Sequence, residues 1–318
     1  MTEQRNKIGY MISNHIIPAV PVPFTSQGDI HEAGQQSYVR WMSKQDIGGV
    51  ALWVHTGRGL LLSKEQREKV FAAWKDALPN RLIICGAGAS PGSGSFTTKV
   101  AEARAMAAHA KKLGADALLV FPPNFATTKE EIIDYHREIA DVGLPLVLFY
   151  LYQTAGGVSY SLALLDELMA DRRIIGIKMA TLDSVVTYQN VVFHLHRRHP
   201  DKLVITGEDR FLGYSIMLGA TAALIGLGAV CTGIQVDMLK DHISGDFDRF
   251  MRNSDAIDHF AQVVFGDPVE KYIIRLLHIL SLEGIIPAES VYDPAGYQLD
   301  DAEKALLNKT LQDLMNVL

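Results

Sequence analysis

The stretch "IIGIKMA", residues 174–180, carries a single polar side chain, Lys178, in an otherwise apolar run. So short a run, rich in isoleucine, reads as a buried strand, too brief for a helix. Seven further segments share its character: "IIPAVPVPF" (16–24), "GGVALWV" (48–54), "RLIICGAG" (81–88), "ADALLVFPP" (115–123), "LPLVLFY" (144–150), "KLVITGE" (202–208) and "AALIGLG" (222–228). Between them lie longer stretches such as "SKEQREKVFAAWKDAL" (63–78) and "TTKVAEARAMAAHAKKLG" (97–114), whose apolar residues recur at the helical spacing of three and four. The second ends in a basic turn and then Gly114, a C-cap signature.

Strands returning about every 30 residues with helices between them make βα units, and parallel strands joined that way are covered on both faces. Eight units predict an α/β protein of the (β/α)8 TIM-barrel class. A doubly wound open sheet is the competing architecture, but no GxGxxG loop follows the first strand. The nearest imitation, "GAGASPGSG" at 86–94, is broken by Pro91 and reads as a glycine-rich loop. Beyond residue 235 no strand-like run returns, and "PVEKYIIRLLHILSLEG" (268–284) and "DAEKALLNKTLQDLMNVL" (301–318) are helical. The expected division is a barrel over 1–234 and a C-terminal helical domain over 235–318, with no linker between them.

At 318 residues, 48% hydrophobic and 21% charged, the chain has the profile of a soluble globular protein with a large core. A net charge of -6 gives no reason to expect nucleic acid or an anionic membrane as partner, so a small molecule is the expected ligand. No apolar run approaches the roughly 20 residues of a membrane span, and "MTEQRNK" lacks the apolar core of a signal peptide, so a cytoplasmic protein is expected. The two cysteines, Cys85 and Cys231, form no CxxC and suggest neither a disulfide framework nor a zinc site.

In a barrel of this class the active site lies at the C-terminal ends of the strands, which is where Lys178 falls on strand six and Tyr150 on strand five. An ammonium in an apolar barrel mouth loses basicity, which frees the amine to attack a carbonyl carbon. A tyrosine one strand away can carry the protons that carbinolamine formation requires. Spacing alone leaves a second reading open, in which Lys178 pairs with Glu208 or Asp209. After strand two, "VHTGRG" (54–59) offers His55, the Thr56 hydroxyl and Gly57, a combination suited to cradling a carboxylate.

With these residues in place, the chain resembles the dihydrodipicolinate synthase and N-acetylneuraminate lyase family of Schiff-base pyruvate aldolases. The motifs run in order through "PAVPVPFTSQGDI", "VHTGRG", "LSKEQREKV", "KKLGADALLVFPP", "LFYLYQTAGG", "IIGIKMA" and "ITGED". The resemblance implies a homo-oligomer, a dimer or tetramer, working without metal or organic cofactor on a 2-oxo acid such as pyruvate or a 2-keto-3-deoxy sugar acid. Lys178 would form the imine, Tyr150 would transfer protons, and Thr56 and Gly57 would hold the substrate carboxylate. Gln153, Gly207, Glu208 and Asp209 would complete the substrate-binding set.

Three departures stand out. Family members commonly carry "GTTGE" where this chain has "VHTGR", so His55 replaces a threonine, Arg58 replaces the acid, and His55 becomes a candidate for acid-base work. "PPNF" (122–125) stands where "PYY" often supplies a second tyrosine. "YLYQTAGG" (150–157) places Ala155 where a true dihydrodipicolinate synthase carries the arginine that grips its aldehyde substrate. Lysine biosynthesis and a non-catalytic sugar-acid-binding protein are thus the alternative readings. "HLHRRH" (194–199) reads as a basic last helical turn, and "GLGAV" (226–230) as close packing beside the bound keto acid.

Overall fold

The computed structural model describes residues 2–182 and 184–316. Eight parallel strands, β1 (Ile16–Pro18), β2 (Gly49–Leu52), β3 (Leu82–Ala87), β4 (Ala117–Val120), β5 (Leu146–Leu151), β6 (Ile174–Ala180), β7 (Leu203–Thr206) and β8 (Ala222–Ile225), form one sheet in the order β1-β8-β7-β6-β5-β4-β3-β2. The open edge closes where Gly48 N–H donates to Ile16 O (3.1 Å) and Val20 N–H to Ala51 O (3.2 Å), beside a parallel bridge between Ala19 and Ala51. The expected (β/α)8 barrel is the observed fold.

The helices are α1 (Thr2–Ile12), α2 (Glu32–Met42), α3 (Lys64–Ala77), α4 (Phe96–Leu113), α5 (Lys129–Ala140), α6 (Leu162–Met169), α7 (Val185–Arg198), α8 (Leu212–Met217), α9 (Thr232–Ser244), α10 (Phe247–Val264), α11 (Tyr272–Leu282) and α12 (Asp301–Met315). Their ends follow local chemistry. Capping boxes start α3 (Ser63 with Gln66), α5 (Thr128 with Glu131) and α12 (Asp300 with Glu303), and each cap contributes about 1 kcal/mol. Gly114 stops α4 in the left-handed region at φ 93°. Among the described residues no helix is long and apolar enough to cross a membrane.

Strand alternation sorts the core into two sets. Ile17, Ala51, Ile84, Leu119, Val147, Phe149 and Leu224 fill the barrel, with Ile8 and Ile12 of α1 packed on them to close its N-terminal end. Val50, Ile83, Leu118, Leu148, Ile177, Met179 and Val204 lie between the sheet and the helices. The division expected at residue 235 falls inside α9, which packs on β1 and α8 as the eighth barrel helix. Helices α10 to α12 follow as the C-terminal extension, with α10 packed on α9. The segment joining α10 to α11 returns to the C-terminal mouth of the barrel and meets the loop after β2 there.

Candidate active site

All seven residues of β6 are buried. Lys178 pairs in register with Phe149 of β5 and Met179 with Tyr150, so Lys178 and Phe149 share the inner face while Tyr150 and Met179 share the outer one. The Lys178 nitrogen lies 4.4 Å from the centre of the Phe149 ring. Tyr150 packs on Tyr160 in the helix layer, with centroids 5.5 Å apart. The expected partnership of Lys178 and Tyr150 is therefore corrected: the two are on neighbouring strands but on opposite faces, because side chains alternate along a strand.

Burial lowers the Lys178 pKa from 10.5 to about 8, against the opposing pull of Asp209 and Glu208. Its stem runs over Gly207, where a Cβ would lie 2.3 Å from Lys178 Cε. Gly207 thus makes room for the lysine. Asp209 accepts from Leu227 N–H (2.7 Å) and Gly226 N–H (3.4 Å); burial raises its pKa to about 6, while those donors and Lys178 pull it down. Glu208, fully buried, takes Thr181 N–H, Thr181 O–H and Leu182 N–H at 2.7 to 2.8 Å and holds the turn after Lys178, with burial pushing its pKa up to about 8. Both acids named in the sequence therefore act on Lys178 by charge, and neither is exposed to solvent.

The loop after β2 forms a short 3-10 turn, His55–Gly57. Gly57 N–H donates to Val54 O (3.1 Å), and a Cβ on Gly57 would lie 2.9 Å from Val20 O, so this glycine is committed to the turn and to close packing on the chain after β1. The buried Thr56 hydroxyl pairs with the Tyr272 hydroxyl at 3.0 Å. His55 Nε2 faces both Glu270 oxygens at 3.1 Å, and its ring stacks on Tyr272 at 6.1 Å. Gln153 is exposed, donates to Ser159 Oγ at 3.4 Å, and does not stand with the other expected residues.

Four residues that the sequence reading passed over complete the mouth. Glu270, on the turn before α11, accepts from the Tyr152 hydroxyl (2.6 Å), His55 and Arg58 Nη1 (3.2 Å). Burial opposes its ionisation, but the His55 and Tyr152 hydrogen bonds and the Arg58 charge outweigh burial and hold its pKa at about 2. Arg58 in turn grips Asp293 with two bonds of 2.9 and 2.6 Å, a fork on a carboxylate that is itself fully buried. The acid absent from the "VHTGR" loop is thus matched by two acids from the C-terminal extension. Tyr152, one position beyond β5, and Tyr272, the first residue of α11, bring phenols to the mouth; burial raises both pKa values far above 10.

Beside this network a cavity of about 460 Å³ opens between the loops after β2 to β5, lined by His55, Lys99, Phe121, Asn124, Leu151 and Ala155 among others. Lys99 reaches its wall over Gly94 and donates to Ser90 O at 2.7 Å. Elsewhere, His194 and His199 of "HLHRRH" both pair with Asp166 (2.8 and 2.7 Å), and among the described residues no group of three His, Cys, Asp or Glu is placed to hold a metal ion. Cys85 and Cys231 are buried free thiols.

The profile of the dihydrodipicolinate synthetase family matches residues 12–314, the barrel with its β6 lysine and the C-terminal helices included. The chain belongs to this family. Within it, the chain is 26% identical over 303 residues to YagE of Escherichia coli (strain K12), provisionally named a 2-dehydro-3-deoxy-D-gluconate aldolase, covering 94% of this chain and 96% of that one. It is 25% identical over 289 residues to the 4-hydroxy-tetrahydrodipicolinate synthase of Nitrobacter hamburgensis (strain DSM 10229 / NCIMB 13809 / X14), covering 89% and 93%. The crystal structure of YagE in complex with pyruvate superposes with a TM-score of 0.84 at 24% identity over 94% of this chain and 98% of that one. N-acetylneuraminate lyase from Fusobacterium nucleatum, complexed with pyruvate, superposes with a TM-score of 0.81 at 20% identity over 96% and 98%.

Proposed function

We propose that this family member is a Schiff-base lyase, an aldolase or dehydratase, acting on a 2-oxo acid of the pyruvate or 2-keto-3-deoxy sugar-acid class. The observation that carries the reading is the inward-facing, buried Lys178 at the C-terminal end of β6, with its pKa lowered to about 8. The amine lone pair attacks the C2 ketone, water leaves, and the resulting iminium draws electrons from the bond at C3. In aldol cleavage a base removes the C4 hydroxyl proton, the C3–C4 bond breaks to release an aldehyde, and the enamine left on Lys178 takes a proton at C3 before hydrolysis releases pyruvate.

The Thr56 backbone N–H is the anchor for the substrate carboxylate, leaving the hydroxyl to Tyr272, and the cavity walled by Asn124 and Lys99 takes the remainder of the substrate. Asp209 balances the lysine charge, and His55 holds Glu270 in place. Ala155 lines the same cavity and offers no guanidinium, which favours a sugar-acid substrate over the aldehyde of lysine biosynthesis. An assembly of two or four copies and a cytoplasmic location belong to the same reading.

A panel of 2-oxo acids and 2-keto-3-deoxy sugar acids, assayed in parallel for pyruvate release and for dehydration, tests it. Turnover of at least one sugar acid is expected. Activity confined to pyruvate plus an aldehyde of the lysine route would transfer the protein to the synthase branch, and silence on every compound would point to a binding protein.

A further inference from the structure

Condensation of an amine with a ketone needs a group that moves protons, because the attacking nitrogen must lose one while the C2 oxygen gains one. The inner-face neighbour of Lys178 on β5 is Phe149, which has none to give, and Tyr150 lies in the helix layer. Glu208 is spent on three donors from the turn after β6.

Two phenols arrive from elsewhere, and they differ in what they are free to do. Tyr152 commits its proton to the ionised Glu270 carboxylate at 2.6 Å. Among the described residues the Tyr272 hydroxyl meets only another hydroxyl, Thr56, at 3.0 Å, a pair in which either oxygen can donate, so it can pass one proton on while receiving another. Gly226 packs against this pair: a Cβ there would lie 3.1 Å from the Tyr272 ring and 3.4 Å from Thr56 Oγ1. The same glycine gives its N–H to Asp209, the carboxyl whose charge acts on Lys178, on Tyr152 and on Tyr272 alike. Stacking on Phe265 (4.7 Å, 17°) and on His55 fixes the ring in that place.

We propose that Tyr272, carried on the first residue of α11, is the proton carrier for imine formation at Lys178, with the Thr56 hydroxyl as its relay partner. The proposal rests on the Schiff-base reading above and deepens it. The phenol donates to the C2 oxygen as the nitrogen's proton returns to it through Thr56, so Tyr272 ends neutral; the one further proton that turns carbinolamine into iminium and water comes from solvent. The extension thereby supplies a catalytic group as well as a cover for the barrel.

The test is the rate of borohydride-trapped adduct formation with saturating pyruvate, followed by intact mass after rapid quenching. Tyr272→Phe is expected to slow adduct formation about a hundredfold while leaving the final yield unchanged, since a relay alters the barrier and not the equilibrium. Thr56→Val is expected to slow it similarly and Thr56→Ser to retain the wild-type rate, which keeps the proposal falsifiable if Tyr272→Phe folds poorly. Wild-type rates in Tyr272→Phe, or in a destabilised Tyr272→Phe's stead in Thr56→Val, would overturn the relay alone. A wild-type protein that traps no pyruvate at all would overturn the Schiff-base reading and the relay with it.

Discussion

Lys178 and Phe149 are register partners across β5 and β6, and the lysine nitrogen rests 4.4 Å from the centre of the phenyl ring. This contact fixes which face of β5 looks into the barrel mouth, and so decides that the phenol next in sequence, Tyr150, looks out. A cation over an aromatic face is worth about 0.5–1 kcal/mol or more when desolvated, which offsets part of the cost of burying the protonated amine.

Tyr150→Phe should therefore leave turnover and adduct formation within about twofold of wild type, because the hydroxyl lies outside the lysine's surroundings. Steady-state kinetics checks it. A loss of a hundredfold or more would return the proton transfer to strand five.

Gly207→Ala places a methyl where Lys178 Cε now runs, at 2.3 Å. The lysine stem must move, and a displacement near 1 Å in a reacting group costs about a hundredfold in rate. A fall of that order in adduct formation with a Tm change of only a few degrees is expected. An active Gly207→Ala enzyme would show that the stem has another path.

Only the free amine attacks, so the rate of imine formation should climb tenfold per pH unit below the Lys178 pKa of about 8 and level off above it. A stopped-flow pH series with pyruvate measures the break. A break near 10.5 would mean that burial does not depress this lysine.

Glu270 titrates at about 2 instead of 4.5, so its stabilising effect is complete above the higher value and disappears as pH falls through the lower one. Glu270→Gln should cost on the order of 3 kcal/mol at pH 7, because a tenfold change in proton affinity between the folded and unfolded chain is worth about 1.36 kcal/mol. The difference in Tm between the two proteins should then narrow steadily from pH 5 to pH 2. A gap that stays constant with pH would assign the effect to packing.

The eight strands were legible because buried parallel strands announce themselves as short apolar runs, and each of the eight quoted segments contains one. Their ends were less so. "IIPAVPVPF" keeps only Ile16–Pro18 as β1, since Pro18, Pro21 and Pro23 have no N–H for a ladder, and β2 ends before Trp53, which turns to φ 59°. Lys178, Thr56 and Asp209 could be singled out as candidates because a strand end in a barrel is a defined address. Tyr150 was misplaced because "LFYLY" offers an aromatic at 149, 150 and 152, and only the pairing with β6 sets the phase. Glu270, Tyr272 and Asp293 escaped because more than 200 residues separate them from the loop they meet, and no local pattern records such a contact. The one available sign was the swap of an expected acid for Arg58, which required a carboxylate from somewhere else in the chain.

The proposed function requires an amine at the end of β6 that forms a covalent bond with a keto acid, and the most direct measurement is intact mass followed by peptide mapping after pyruvate and borohydride. One reduced pyruvyl group per chain, confined to the peptide bearing Lys178 and absent from Lys178→Ala, is the predicted result. An unmodified chain, or label spread over surface lysines and unchanged in that variant, would contradict it.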